Sequence, residues 1–492
     1  MSTISVIGSG FSGLSASALL ASKGNSVTVY EKNDTIGGRA RTMLENGFLF
    51  DMGPSWYWMP DVFERYYNLF DHTASDFYEL KKLDPGFRVI FGVGDHIDVP
   101  EDFDQLCSLF ESIEKGSAVS LKKFIKQAEY KYKVGMSDMV YLPGHSIKEF
   151  MSFALLKDAI NIQLFSSFKN HVRSYFKNPR LIALIEFPVL FLGAMPKDTP
   201  ALYSLMNYAG LKQGTFYPMG GFGKVVDAFK KIAIDSGVMF KTSENIEQFD
   251  LQNGSISHIR SNGIRIETDA VIASADYHHI EKELLPKEYR TYDDRYWDKK
   301  TFAPSSLIYY LGVNKKVDKL IHHNLFFDEN IEEHAEEIYK SKKWPTKPLF
   351  YVCCPSKTDP DVAPDGSENL FLLMPISIGL SDDEETRERY FNIMMDRLCK
   401  YVGEDIRPNI VYKKSYSVSN FVSDYNAYKG NAYGLANTLR QTAILKPKMK
   451  SKKVQNLFFA GQLTVPGPGV PPSIISGQIA ATELMKHFKS KR

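Results

Sequence analysis

Hydrophobic and polar positions change period twice within the first thirty residues. Ile4 to Ile7 is a run rich in β-branched residues and predicts a buried strand. Leu14 to Leu20 mixes small and apolar residues as a tightly packed helix does, and Gly24 stops it. Val27 to Tyr30 predicts a second strand ending on Glu31, so the opening reads as one parallel βαβ unit. The pattern returns at TFYPMGGFGKVVDAFKKIAIDSGVMFK: a turn, an amphipathic helix ended by Gly237, and a strand from Val238 to Lys241. A hairpin turning at Asn262-Gly263 follows, then the apolar strand AVIASA at 270–275. Near the C-terminus, Leu457 to Ala460 predicts a strand, and Pro471-Pro472-Ser473 opens a helix running from Ile474 to Phe488. Leu121 to Leu211 carries helical patterns, including the apolar stretch LIALIEFPVLFLGAM at 181–195. Residues 291–440 mix strands such as SSLIYYLGV and ENLFLLMPI with the helix DDEETRERYFNIMMDRLCKYV.

The turn inside the first unit adds chemistry to that pattern. Gly8, Gly10 and Gly13 form GxGxxG between strand and helix. Gly8 permits a sharp exit, Gly10 leaves room for a pyrophosphate against the backbone, and Gly13 lets helix and sheet approach. Phe11 and Ser12 begin the helix, whose free N–H groups and partial positive charge suit phosphate. Glu31 stands where a carboxylate accepts the hydroxyls of an adenosine ribose, with Lys32 beside it. A lone GxGxxG is weak, but here strand, helix, second strand and acid follow in order. The segment therefore reads as a dinucleotide site.

Composition bounds the rest. At 492 residues the chain is long enough for two to four domains, and 43% hydrophobic with 24% charged residues is globular. A net charge of +2 gives no support for nucleic-acid binding. The 13% aromatic content fits a protein that handles something large and apolar. Cys107, Cys353, Cys354 and Cys399 lack metal-ligand spacing, and Cys353-Cys354 read as small hydrophobes in a buried strand. Neighbours on a strand point apart, so neither His278-His279 nor His322-His323 is expected to share a metal. The chain opens directly on a strand, without a signal peptide. The longest uncharged run, Val454 to Thr482, contains Pro466, Pro468, Pro471 and Pro472 and cannot be a membrane helix. A soluble chain or one attached to a membrane surface is expected.

After Glu31 comes KNDTIGGRARTM, a second glycine pair, Gly37-Gly38, with Arg39 able to meet a phosphate. With the first motif this resembles the extended FAD-binding motif of glutathione-reductase-like flavoproteins, in the branch of flavin amine oxidases and carotenoid desaturases. FLFDMGPSWYWMP is similar to the segment beneath the isoalloxazine ring, which implies that Gly53, Pro54 and Ser55 touch the cofactor. Trp56, Tyr57 and Trp58 are then either near the reacting face or ordinary core. The C-terminal NLFFAGQLTVPGPGVPPSIISGQ resembles the signature of phytoene-desaturase-type enzymes, which brings Gly461, Gln462, Val470 and Pro471 to the flavin. Gln462 departs from the Asp or Glu usual after that glycine. The backbone at Val238 or its neighbour is implied to face the adenine. HHNLFF and YVCCPSKTDPDVAPDG extend the resemblance into the middle of the chain.

The resemblance implies an α/β (α+β) fold: a Rossmann-like FAD-binding domain of glutathione-reductase type, a mixed-sheet substrate domain and a helical cap. Its expected pieces are 1–70, 216–290 and 440–492 for FAD; 71–120 and 291–439 for substrate; and 121–215 for the cap, either core or lipid-contacting. It also implies an FAD enzyme of carotenoid biosynthesis that desaturates a C40 polyene, phytoene toward lycopene. Hydride would pass to flavin N5, a proton would leave the adjacent carbon, and quinone or oxygen would take the electrons. A hydrocarbon offers no handle for a charged clamp, so an apolar tunnel must position it. No Ser-His-Asp set, metal cluster or carboxylate pair is evident, and no catalytic side chain is assigned. A hydroxylated-carotenoid desaturase, a carotenoid isomerase, a flavin amine oxidase and a non-enzymatic isoprenoid-binding protein stand as alternatives. The expected location is cytoplasmic at the membrane surface, where KPKMKSKK (446–453) and KHFKSKR meet either water or anionic lipid.

Overall fold

Three separated stretches of chain build one five-stranded parallel sheet, in the order Leu457–Phe459, Ala270–Ala273, Thr3–Ile7, Ser26–Tyr30, Met239–Lys241. The structure is a computed structural model that describes residues 1–137, 139–146, 149 and 166–491. Parallel strands need crossover connections that cover both faces, which is why Ile4, Val6, Val27, Val29, Val271 and Ile272 are all sealed from solvent.

The Phe11–Ala21 helix is buried on nearly all sides because it packs against the sheet and against the helices Phe222–Asp235 and Val470–Lys491. Glycine permits these contacts. A Cβ on Gly13 would stand 2.1 Å from the Gly8 carbonyl oxygen, and one on Gly477 would stand 2.2 Å from that of Ser12. The Ser15 hydroxyl also donates to the Ile474 carbonyl at 2.9 Å. Helices from both ends of the chain therefore pack together against the sheet. The last helix starts at Val470, earlier than the expected Ile474. Pro471 and Pro472 sit in its first turn, where no N–H partner is required.

A second sheet has seven strands, in the order Ile410–Tyr416, Ser305–Val313, Glu368–Ile376, Phe350–Cys353, His323–Phe326, Phe87–Gly92, Asp95–Val99. Only the pairing of His323–Phe326 with Phe87–Gly92 is parallel. The Glu384–Val402 helix supplies Met394, Met395 and Leu398 to a core with Leu307, Leu370 and Leu372 of this sheet. The hairpin Thr42–Glu45 and Phe48–Asp51 bridges toward it. The Phe48 ring occupies the space that a Cβ on Gly312 would need, 2.6 Å away.

Several expectations change in three dimensions. The stretch at 181–195 turns inward: Leu181, Leu184, Ile185, Phe187, Val189 and Met195 are buried, so this part of the helical region is core-facing. Residues 138, 147–148 and 150–165 of that region lie outside the described residues. The basic run at 446–453 is partly tied to the protein, while Lys452 and Lys453 remain exposed. Lys446 is buried and donates to the Leu435 carbonyl, Lys448 to those of Gly144 and Ile444, and Lys453 to that of Glu288. His322 precedes its strand, so strand alternation does not separate it from His323; their ring centroids are 4.4 Å apart. Their nitrogens and the Cys353 sulfur lie within 4.8 Å of one another. Among the described residues no helix is long and apolar enough to cross a membrane.

The close approach of the two termini yields a test. Gly477→Ala should lower stability by about 1–3 kcal/mol, the usual cost of overpacking a dense contact. A thermal melt checks it; an unchanged transition would mean that the backbone accommodates the methyl group.

Candidate active site

A cavity of about 460 Å³ opens where the parallel sheet ends and extends beneath the second sheet. At its glycine-lined end, Gly8 leaves the first strand with φ +95° and Gly10 caps the Phe11–Ala21 helix without a side-chain hydrogen bond. A Cβ on Gly10 would project into open space. The helix N-terminus thus presents bare backbone to the cavity. The Glu31 carboxylate at the end of the second strand is buried and locked by four donors. These are Ser9 N (3.0 Å), Ser9 Oγ (2.7 Å), Asn33 N (2.9 Å) and Asn33 Nδ2 (2.9 Å). Lys32 donates to the Ser423 carbonyl (2.5 Å) and Asn426 Oδ1 (3.1 Å), tying the end of the Val418–Tyr425 helix to this region.

Arg39 follows the glycine pair, whose positive φ values (Gly37 +118°, Gly38 +57°) fold the loop over Gly10. Its guanidinium lies over the Tyr425 ring at 4.8 Å and donates to the Asn431 carbonyl at 3.3 Å. Its Nε is buried with no partner. The buried Asp276 carboxyl is pushed up to about 6 by desolvation, while backbone donors and the Arg39 charge pull the other way. Arg39 thus brings a cation with unspent hydrogen-bonding capacity to the cavity wall.

Further along, Met52 to Ser55 line the wall, and the Tyr310 hydroxyl fixes the Met52 carbonyl at 2.7 Å. Behind them Asp51 accepts from Phe222 N at 2.9 Å, and burial pushes its carboxyl up to about 7. Gly461, Gln462, Val470 and Pro471 line the opposite side, where the Val470–Lys491 helix begins with no acidic residue in its first turn. Gln462 donates to Asn431 Oδ1 at 3.3 Å, holding the C-terminal segment against the loop that contacts Arg39. The rest of the cavity is mainly apolar, walled by Trp56, Trp58, Phe187, Leu325, Phe327 and Ile338, with His334, Tyr339, Tyr351 and Tyr433 among them. Tyr57 is fully buried and outside the lining, so the aromatic triplet divides: two rings face the cavity and one belongs to the core.

Gly8, Gly10, Phe11, Ser12, Glu31, Lys32, Gly37, Gly38, Arg39, Gly53, Pro54, Ser55, Gly461, Gln462, Val470 and Pro471 all line this cavity. Gly13 does not line it; its place is the helix–sheet contact. Val238 does not line it either. Its N–H closes the preceding helix on the Ala233 carbonyl (2.9 Å), and Glu244, Asn245 and Ile246 take that part of the wall. The sequence reading missed Asn33, Ser274 to Asp276 and Asp424 to Asn426. Asp276 had a signal, an acid just past a buried strand, as at Glu31. Asp424 and Tyr425 end the short Val418–Tyr425 helix and Asn426 caps it, and only the tertiary fold brings this helix end to the cavity.

Residues 11–485 match the family described as flavin containing amine oxidoreductase. The chain belongs to this family. It is 40% identical over 484 residues to a carotenoid 3,4-desaturase of Haloarcula japonica, covering 98% of each chain. It is 28% identical over 497 residues, 99% of each, to a 4,4'-diapophytoene desaturase of Staphylococcus haemolyticus. Among solved structures, an oxidoreductase of Methanosarcina mazei aligns with TM-score 0.63 at 16% identity, covering 98% of this chain and 100% of that one. Putrescine oxidase bound to putrescine aligns with TM-score 0.62 at 14% identity, covering 99% of each. These likenesses at low identity speak for the fold.

The protein is therefore an FAD-dependent oxidoreductase, and the cavity fits that cofactor. Gly10 leaves an open cradle, two helix N-termini face it, and the orphaned Arg39 Nε supplies a donor where an anionic group needs one. Glu31→Ala should weaken FAD retention by about 1–3 kcal/mol, the scale of a lost hydrogen bond to a charged group. Flavin released during dialysis measures it, and unchanged retention would remove Glu31 from the nucleotide site.

Proposed function

We propose that this oxidoreductase introduces double bonds into a long, linear carotenoid. The observation that carries the reading is the division within one cavity. Its carboxylates, Glu31, Glu244, Asp276 and Asp424, all belong to the glycine-lined and loop-covered nucleotide end. The wall formed by Trp56, Trp58, Phe187, Leu325, Phe327 and Ile338 offers hydrocarbon surface with no acidic group among its residues. A protonated amine would find no counter-charge there, whereas a polyene needs none. The desaturase names of the relatives point the same way.

Bound FAD supplies the hydride acceptor for such a reaction. On this reading the GxGxxG turn, Glu31 and the Gly37-Gly38-Arg39 loop hold the nucleotide, and Met52 to Ser55 and Gly461 to Pro471 hold the flavin end. Trp56 and Trp58 set the polyene against it and exclude water. The expected domain pieces follow the same division, with the parallel sheet carrying the cofactor and the seven-stranded sheet carrying the substrate.

The relative at 40% identity supports the 3,4 bond of an end group as the position attacked. Conversion of phytoene toward lycopene is the second reading, supported by the relatives named for a diapo-phytoene. The membrane surface as the source of so apolar a substrate, and quinone or oxygen as the final acceptor, complete the proposal.

Phytoene, lycopene and a hydroxylated carotenoid, each presented in liposomes to the FAD-loaded protein, should separate these readings. Each new conjugated double bond moves the absorption to longer wavelength. A shift confined to the already conjugated substrates would support end-group desaturation; coloured product from phytoene would support the second reading. Amine turnover with peroxide, and no spectral shift with any carotenoid, would overturn both.

A further inference from the structure

Desaturation takes away a hydride and a proton from adjacent carbons, so the proton needs an acceptor inside a water-poor cavity. Four titratable groups on the wall are already committed. Glu31 accepts four hydrogen bonds, Asp276 accepts from the backbone N–H groups of His279 and Tyr428, and Asp424 is paired with Arg41 at 2.7 Å. His334 accepts from Leu349 N at 2.7 Å and faces the Pro375 carbonyl at 3.0 Å, which fixes both ring nitrogens. Tyr351 differs. Its hydroxyl lies 2.6 Å from His323 Nδ1 and 3.0 Å from the hydroxyl of Ser55, in the segment leading from Asp51 along the cavity wall.

His323 stands as a neutral imidazole. It is fully buried, and burial together with neighbouring His322 keeps it well below the usual range, so only a strongly acidic donor protonates it. The ring of Trp56 stacks on it at 4.1 Å and 9°, a face that favours an imidazolium. Its Nε2 has no partner. Behind it, a chamber of about 10 Å³ is lined by His322, Cys353, Tyr217 and Asp51. That is room for about one water. The Oδ1 of Asp51 is also unpartnered.

We propose that Tyr351 is the catalytic proton acceptor of the desaturation and that His323 is its positioning and relay base. The inference rests on the desaturase reading above. As hydride leaves one carbon for the flavin, the adjacent C–H bond breaks and its electron pair becomes the second bond of the new C=C. The proton passes to the Tyr351 oxygen while that hydroxyl's own proton moves to His323 Nδ1. The carotenoid is oxidised by two electrons, the flavin is reduced by two, and the charge left on the protein is one imidazolium. A phenol that burial keeps protonated can act only in this concerted way, because it has no anion to offer. Protons next to a polyenyl cation are acidic enough for an uncharged acceptor.

Tyr351→Phe removes one oxygen and His323→Gln removes the base while keeping an acceptor. Each should slow anaerobic reduction of the bound flavin by carotenoid by about 100-fold, within the range of general-base catalysis. Flavin content and melting temperature should stay at wild-type values. The ring nitrogens of His323 give a readout independent of turnover. Their NMR shifts in the flavin-free protein should report an Nδ1 that accepts from a hydroxyl, and Tyr351→Phe should abolish that signature. A Tyr351→Phe rate within twofold of wild type, or unchanged His323 shifts, would overturn the relay. Failure of the wild-type protein to reduce its flavin with any carotenoid would overturn the desaturase reading and this role together.

Discussion

Two backbone contacts without intervening side chains hold the architecture together: Gly13 against Gly8 and Gly477 against Ser12. Each places a helix closer to its neighbour than a methyl group allows. Together they fix the Phe11–Ala21 helix between the sheet and the C-terminal helix, so that the N-termini of both helices face one cavity. Dipoles aimed at a common point from opposite ends of the chain suit one extended anionic ligand. Strand pairing of Ala270–Ala273 with both Thr3–Ile7 and Leu457–Phe459 keeps them in register.

The cavity formed in this way has a chemical gradient along its length. Backbone N–H groups, Arg39 and a set of hydrogen-bonded carboxylates occupy the glycine-lined end, and aromatic and aliphatic side chains occupy the other. Desolvation raises Asp276 and Asp51 toward neutrality, so burial itself moderates the charge near the boundary. The Met52 to Ser55 segment lies between the two regions and is fixed by Tyr310 from the seven-stranded sheet. The sheet therefore contributes both apolar wall and the alignment of the segment that divides the two regions.

Much of this was legible in the sequence because it is encoded locally. The GxGxxG turn, the alternation in the strands, and the acid after Tyr30 each follow from rules that operate over a few residues. Ser305–Val313 and Glu368–Ile376 occupy the spans that their apolar runs predict. Elements whose role depends on what lies opposite were not legible. Val238 looks like part of a wall until its N–H is seen closing a helix, and Lys446 and Lys448 look solvated until their carbonyl partners are located. Tyr57 could not be told from Trp56 and Trp58 by pattern, since alternate faces of an irregular segment are set by packing.

The glycine-lined half could be read from single positions: which residues turn, which leave backbone bare at a helix start and which strand is followed by a carboxylate. These depend on backbone conformation and on missing side chains, and both are written at single positions. The other region took shape in three dimensions alone: His322 and Cys353 share a small chamber with Asp51, and Tyr351 reaches His323 across neighbouring strands. Such a juxtaposition is fixed by sheet order and register, and neither is a property of any short stretch of sequence.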